Sequence, residues 1–165
     1  CWALLRQNGR HKTQDRERVQ QVINILSSIH IYQPIKRVFE FISNPENDFQ
    51  WQYGTLSSTR TSEIISALGA CFQTTGNFMG HRIQSTFQVT EFESNKTYGF
   101  KSLSGPLQSF TTYTFLLASG YTQINLVTQA NVVNFVELNE NILEKKLKKQ
   151  LKENLAMLKS LLEVG

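Results

Sequence analysis

Cysteine is scarce: Cys1 and Cys71 are the only two among 165 residues. Two thiols so far apart, neither in a metal-ligand spacing, build no disulfide framework and no zinc site. They point to a reducing, cytoplasmic setting. Histidine is scarce too. His11, His30 and His81 pair neither with one another nor with a carboxylate at ligand spacing, so no metal is expected, and no motif calls for a cofactor. An apolar run of about 18 residues is lacking, which excludes a membrane-spanning helix. So is a continuous apolar stretch near the start of the kind a signal peptide needs. No G-x-S-x-G elbow, no phosphate-cradling glycine loop and no internal repeat occurs. The chain opens on Cys1 rather than methionine, which reads as a fragment or a processed product. The residues after Cys1 are neither small nor linker-like, which argues against lipidation.

Charge is unevenly spread. The formal net charge is +4, but residues 1–27 hold Arg6, Arg10, Lys12, Arg16 and Arg18 against only Asp15 and Glu17. The rest of the chain is close to neutral, so the folded part lacks the clustered cations that phosphate backbones require, and no nucleic-acid partner is expected. Residues 1–22 read as a basic N-terminal extension, poorly ordered or partly helical. Residues 23–165 read as a single domain with enough chain for a sizeable core.

What is present begins at the end of the chain. Leu143, Leu147, Leu151, Leu155, Leu158 and Leu162 recur in steps of three and four, one apolar stripe of an α-helix. Lys145, Lys148, Lys149, Lys152 and Lys159 fall on other faces. A helix over 140–164 would be roughly 37 Å long at 1.5 Å per residue, and so long a stripe needs a partner surface. Upstream, Val22 to Tyr32 reads as a strand with Ile29 and Ile31 on one face and His30 on the other. Gln33-Pro34 ends it and opens a helix over 34–44 whose buried side is Ile35, Val38, Phe39 and Ile42. Asn44-Pro45 stops that helix and starts a shorter one through Trp51. From Gly54 to Val133, Thr, Ser, Val, Phe and Tyr alternate between turn residues at Gly69, 76–80, Ser94-Asn95, Gly105-Pro106 and Ser119-Gly120, a meander of about six antiparallel strands. Tyr98 and Phe100 share a face, as do Tyr113, Phe115 and Leu117, and likewise Ile124, Leu126, Thr128, Ala130 and Val132. Gln123, Asn125, Gln129 and Asn131 lie opposite and should meet solvent.

This order of elements resembles the helix-grip family, the START-related or SRPBCC superfamily, in particular its polyketide cyclase/dehydrase and lipid-transport branch. The stretch Ser28–Ile42, with Val38-Phe39 inside it, resembles the family's opening strand, proline and helix. Asn44-Pro45 followed by Trp51 is similar to its second helix. Gly69–Phe72 resembles the start of the third strand, and Val89–Phe92 a strand-ending motif. Ser104–Pro106, Tyr113–Phe115 and Gly120–Ile124 resemble the final hairpin. The likeness covers about residues 27–164; the basic leader is outside the family pattern, and Ala118–Gly120 makes a short hairpin. It implies an α+β, helix-grip fold: a curved antiparallel sheet of about seven strands wrapped around the long C-terminal helix, with two short helices between strands 1 and 2. It further implies an apolar tunnel between sheet and helix.

Three functions compete. The first is binding or carriage of a hydrophobic small molecule (a lipid, polyketide or aromatic metabolite) in that tunnel, with Phe87, Tyr98, Phe100, Tyr113, Phe115, Leu126, Thr128, Leu147, Leu151 and Leu155 as the ligand-binding residues and Ser85 as a further hydroxyl. The second is a polyketide cyclase or dehydratase, which needs a proton shuttle in the tunnel. Tyr98 and Tyr113 are its catalytic candidates; Glu91, in phase with Ile83, Ser85, Phe87 and Val89, lies at a strand end where exposure is expected. The third is a regulatory protein-interaction module using the lysine face of the last helix. Cys71 reads as a small buried hydrophobe, and His81 and Arg82 as a solvated hairpin tip. We adopt the first reading, a binder rather than an enzyme, with a hydrophobic small molecule as the partner.

Overall fold

A computed structural model describes residues 22–61, 67–78, 80–132 and 140–164; the expectations for the basic leader, with Cys1 and His11, lie outside these residues. Seven strands form one antiparallel sheet: β1 (Val22–Ile31), β2 (Thr55–Arg60), β3 (Cys71–Phe78), β4 (His81–Glu93), β5 (Thr97–Ser104), β6 (Leu107–Ala118) and β7 (Tyr121–Val132), in the order β1-β7-β6-β5-β4-β3-β2. Two short helices, α1 (Ile35–Ile42) and α2 (Asp48–Trp51), lie between β1 and β2, and the long helix α3 (Glu140–Val164) follows β7. The helix-grip arrangement expected from the sequence is therefore present.

Local chemistry sets these boundaries. Pro34 precedes α1 with its φ already fixed, and Val38, Phe39 and Ile42 bury one face. Asn44 then accepts the Glu46 N–H on its side-chain oxygen at 3.2 Å, Pro45–Asn47 forms a 3-10 turn, and α2 follows directly. The Asn47 side-chain amide donates to the Phe41 carbonyl at 3.1 Å, fastening this turn to α1.

The sheet bends at three bulges, between Thr55 and Ser57, Thr86 and Phe87, and Val89 and Glu91. The third decides the side on which Glu91 falls. Alternation alone puts Glu91 with Val89, but the extra residue inverts the phase. Phe92 turns towards the aromatic cluster instead, its ring 5.3 Å from that of Phe39 and 6.4 Å from that of Tyr98 with its outer edge still exposed, while Glu91 points to solvent. Two other details differ from the sequence reading. Strand β3 runs on to Phe78 and β4 starts at His81, so Gly76 and Asn77 belong to the strand rather than to the turn. Leu117 shares the Tyr113 face by alternation but is exposed near the strand end.

The interior is divided. One cluster joins Ile31, Val38, Phe39, Ile42, Phe115, Ile124 and Leu126 to Leu155, Leu158 and Leu162 of α3. A second joins Ile23, Ile25 and Ala130 to Leu143, with Leu147 packed against it. Leu151 touches both. Among the described residues no helix is long and apolar enough to cross a membrane.

Candidate functional site

Between the two clusters lies a cavity of about 240 Å³. Its apolar wall comes from Ile25, Phe72, Ile83, Phe87, Phe100, Leu107, Ala130, Leu147 and Leu151; Thr74, Ser85, Ser109, Thr111, Tyr113, Thr128 and Asp48 add polar atoms. These residues converge because concave sheet faces alternate: Thr111 and Tyr113 pair across the β6–β7 ladder with Thr128 and Leu126. The Thr111 and Thr128 hydroxyls are bonded to each other at 3.3 Å.

The mouth is defined by Tyr53, Gly54, Asn77 and Gln150, which line both the cavity and an outer hollow flanked by Lys146, Lys149 and Glu153. Two amides of α3 hold this rim. The buried Asn154 accepts the Tyr53 N–H at 2.8 Å, and Gln150 donates to the Tyr53 carbonyl at 3.0 Å. Gly54, at φ +84°, lies against the Asn77 carbonyl, and the Asn77 N–H donates to the Gly54 carbonyl at 2.7 Å.

Of the ten ligand-binding candidates, Phe87, Phe100, Tyr113, Thr128, Leu147 and Leu151 line this cavity. Phe115, Leu126 and Leu155 are packed within the first cluster, away from the wall. Tyr98 is there too, and borders a second hollow of about 220 Å³ with Arg60 and Cys71. Cys71 is half-buried at the start of β3. His30 faces outward and stacks on Tyr121 at 4.5 Å, and His81 and Arg82 are exposed at the hairpin tip. Lys145, Lys148, Lys149 and Lys152 are exposed, Lys148 paired with Glu144 at 3.0 Å.

The sequence reading missed Asp48. It is only 7% exposed, and no hydrogen bond reaches its carboxyl from any described residue. Burial drives its pKa well above the usual aspartate range. The same burial, with the Asp48 charge adding to it, raises both the Tyr98 and the Tyr113 phenols; beside Tyr98 the Tyr113 charge acts in the same direction and Arg60 opposes it. The rings form a compact group: Tyr113 lies 6.2 Å from Tyr98, stacked, and 6.3 Å from Trp51, edge-on. The indole N–H of Trp51 and the hydroxyl of Ser58, on neighbouring elements, are buried without a partner among the described residues. A signal for Asp48 existed: an acid three residues before a core tryptophan, in a four-residue helix with an inward face.

Asp48 gives the fold a pH dependence whose sign follows from its shift. Its folded pKa is raised, so the folded state holds this proton more tightly than the unfolded chain. Stability is full in acid and falls as pH climbs from the ordinary aspartate range through the folded value. Asp48→Asn is expected to remove that fall, gaining roughly 1–3 kcal/mol over wild type on the alkaline side. Urea unfolding of both proteins from about pH 4 to about pH 9 checks it; parallel curves would show that Asp48 does not titrate between the two states.

A scan against protein-family models finds no match, and a search of curated proteins finds none. Solved structures do match. A START superfamily protein from Mycobacterium smegmatis superposes with TM-score 0.75 at 10% identity, covering 85% of this chain and 97% of that one. A protein from Thermus thermophilus gives 0.72 at 15% identity, covering 83% and 94%. Ara h 8.0201 gives 0.66 at 10% identity, covering 88% and 100%. Sheet order, the paired short helices, the gripped C-terminal helix and these superpositions agree: the chain has the helix-grip fold, the fold it shares with the START superfamily protein.

Proposed function

We propose that this protein binds a compact hydrophobic small molecule in the cavity between its sheet and α3. The observation that carries this reading is the divided interior. A sheet closing fully on its helix would give one continuous apolar cluster, as close packing favours; here two clusters flank a void with an opening beside Tyr53 and Gln150. At about 240 Å³ the void sits just below the ~300–1,000 Å³ typical of small-molecule sites. That suits one or two fused rings better than a long acyl chain. The wall supplies aromatic and aliphatic surface for burial, worth about 25 cal/mol per Å², and a few hydroxyls for orientation.

A cyclase or dehydratase reading needs acid–base groups tuned towards neutral pH. Tyr98 and Tyr113 are shifted the other way, which leaves them neutral hydrogen-bond donors and favours binding over turnover.

The test is titration with the neutral probe N-phenyl-1-naphthylamine, whose fluorescence rises in apolar surroundings. Wild type is expected to saturate at one probe per chain. Leu151→Trp, which fills the void from α3, should weaken binding by roughly tenfold or more while leaving the thermal transition within a few degrees. No saturable uptake by folded wild-type protein, or undiminished uptake by the Trp variant, would overturn the proposal.

A further inference from the structure

Among the described residues Asp48 is the one acid on the cavity wall, and no lysine, arginine or histidine lines that cavity with it. Arg60, the cation that acts on the Tyr98 phenol, is exposed and borders the other hollow, with Phe72 lining both. A structural carboxylate is normally bonded. Glu163, only half-buried, takes the Lys159 ammonium at 2.7 Å and the Tyr32 N–H at 3.0 Å. Asp48 has neither kind of contact from a described residue, although the residue is only 7% exposed.

An acid buried without a cation keeps its proton, and so presents an O–H to the void. Tyr113, on the same wall, presents a second, and no described residue accepts from it. The Thr111 and Thr128 hydroxyls are occupied with each other. Two donors thus line one void, and no hydrogen bond joins either to a described residue. The complement is a group that accepts hydrogen bonds and bears no charge. A carboxylate guest would meet no cation on this wall, and an ammonium guest would have to expel the Asp48 proton first. A carbonyl oxygen, with two lone pairs in one plane, takes both donors at once.

We propose that Asp48 and Tyr113 form the polar anchor of the cavity, a pair of O–H donors that receives the carbonyl oxygen of a ring-bearing guest. This rests on the binding reading above, and it narrows the guest to neutral aromatic or alicyclic ketones and their like.

The experiment compares two guests of nearly equal shape, 2-acetylnaphthalene and 2-ethylnaphthalene, with 2-(aminomethyl)naphthalene as the cationic counterpart. Each displaces N-phenyl-1-naphthylamine at neutral pH. Wild type is expected to hold the ketone roughly tenfold more tightly than the hydrocarbon, the worth of one or two ordinary hydrogen bonds. Asp48→Leu and Tyr113→Phe should each reduce the ratio of ketone to hydrocarbon affinity by about threefold. Asp48→Asn, which keeps a donor, should restore the preference. Independently of any guest, infrared spectra of wild type should carry the carbonyl band of a protonated carboxyl at neutral pH that Asp48→Asn lacks. Equal affinity for ketone and hydrocarbon, preference for the amine, or absence of that band would overturn the anchor while leaving the binding reading intact. Failure of the ketone to displace a bound probe would likewise overturn the anchor alone, whereas no saturable uptake of the probe itself would overturn both.

Discussion

Leu158→Ala is expected to cost about 3–5 kcal/mol of stability. The side chain is 0% exposed and sits in the larger apolar cluster with Leu155 and Leu162. Nothing there can collapse cheaply, because β7 residues Ile124 and Leu126 press from the sheet side and Phe39 and Ile42 come from α1. The loss combines lost burial with an unfilled hole. Leu147→Ala supplies the contrast. Leu147 is half-buried and already borders the void, so its removal deletes fewer contacts and enlarges an existing space. It should cost about 1–2 kcal/mol. Urea unfolding of the two variants, with unchanged denaturant slopes, reads the difference directly. Equal costs would mean that α3 is packed alike along its length and that the void is not a feature of the native protein.

Gly54→Ala is expected to cost about 2–4 kcal/mol and to impair guest binding as well. Two independent reasons add. The residue holds φ +84°, a conformation that side chains resist. A Cβ there would also run into the Asn77 backbone carbonyl, an atom fixed by the ladder. Gly76 answers from the other side, where a Cβ would come within 2.6 Å of the Gly54 carbonyl. To relieve the clash β2 must draw away from β3, opening the rim beside Tyr53. Gly69→Ala is the control. It shares the positive φ, but nothing lies within 4 Å of its added methyl, so about 1 kcal/mol is expected. Thermal unfolding of both variants separates conformational strain from collision, and probe titration follows the rim.

The fold was readable because its signals were local and redundant. Proline punctuation bounded α1, alternation marked the strands, and the leucine stripe gave α3 its bounds of Glu140–Val164. Phase failed where a bulge intervened: Glu91 and Phe92 exchanged sides because one extra residue is invisible to a period-2 count. The site was legible by halves for a different reason. Periodicity says which residues point inward, but not which inward residues touch a neighbour and which touch a void. Leu151 and Leu155 are equivalent on the wheel, yet only Leu151 reaches the cavity. Asn154 could have been noticed, since it interrupts the leucine stripe in phase, three residues after Leu151. Its partner, the backbone of Tyr53, lies 101 residues away and leaves no mark in local pattern. Asp48 was hidden because a lone carboxylate in a short helix ordinarily meets solvent.

The sheet order sets how this chain must assemble. Among the described residues β1 has one neighbour, β7, and their pairing runs from Ile31 opposite Thr122 to Val22 opposite Asn131. The first of these seven strands is therefore closed by the last. During synthesis its edge stays open until nearly the whole sheet has left the ribosome, whereas the hairpins from β3 to β7 zip between sequence neighbours. Such long-range closure is slow relative to hairpin formation, so the late step in refolding should be the docking of β1, and an exposed β1 edge is where a chaperone would find this protein first.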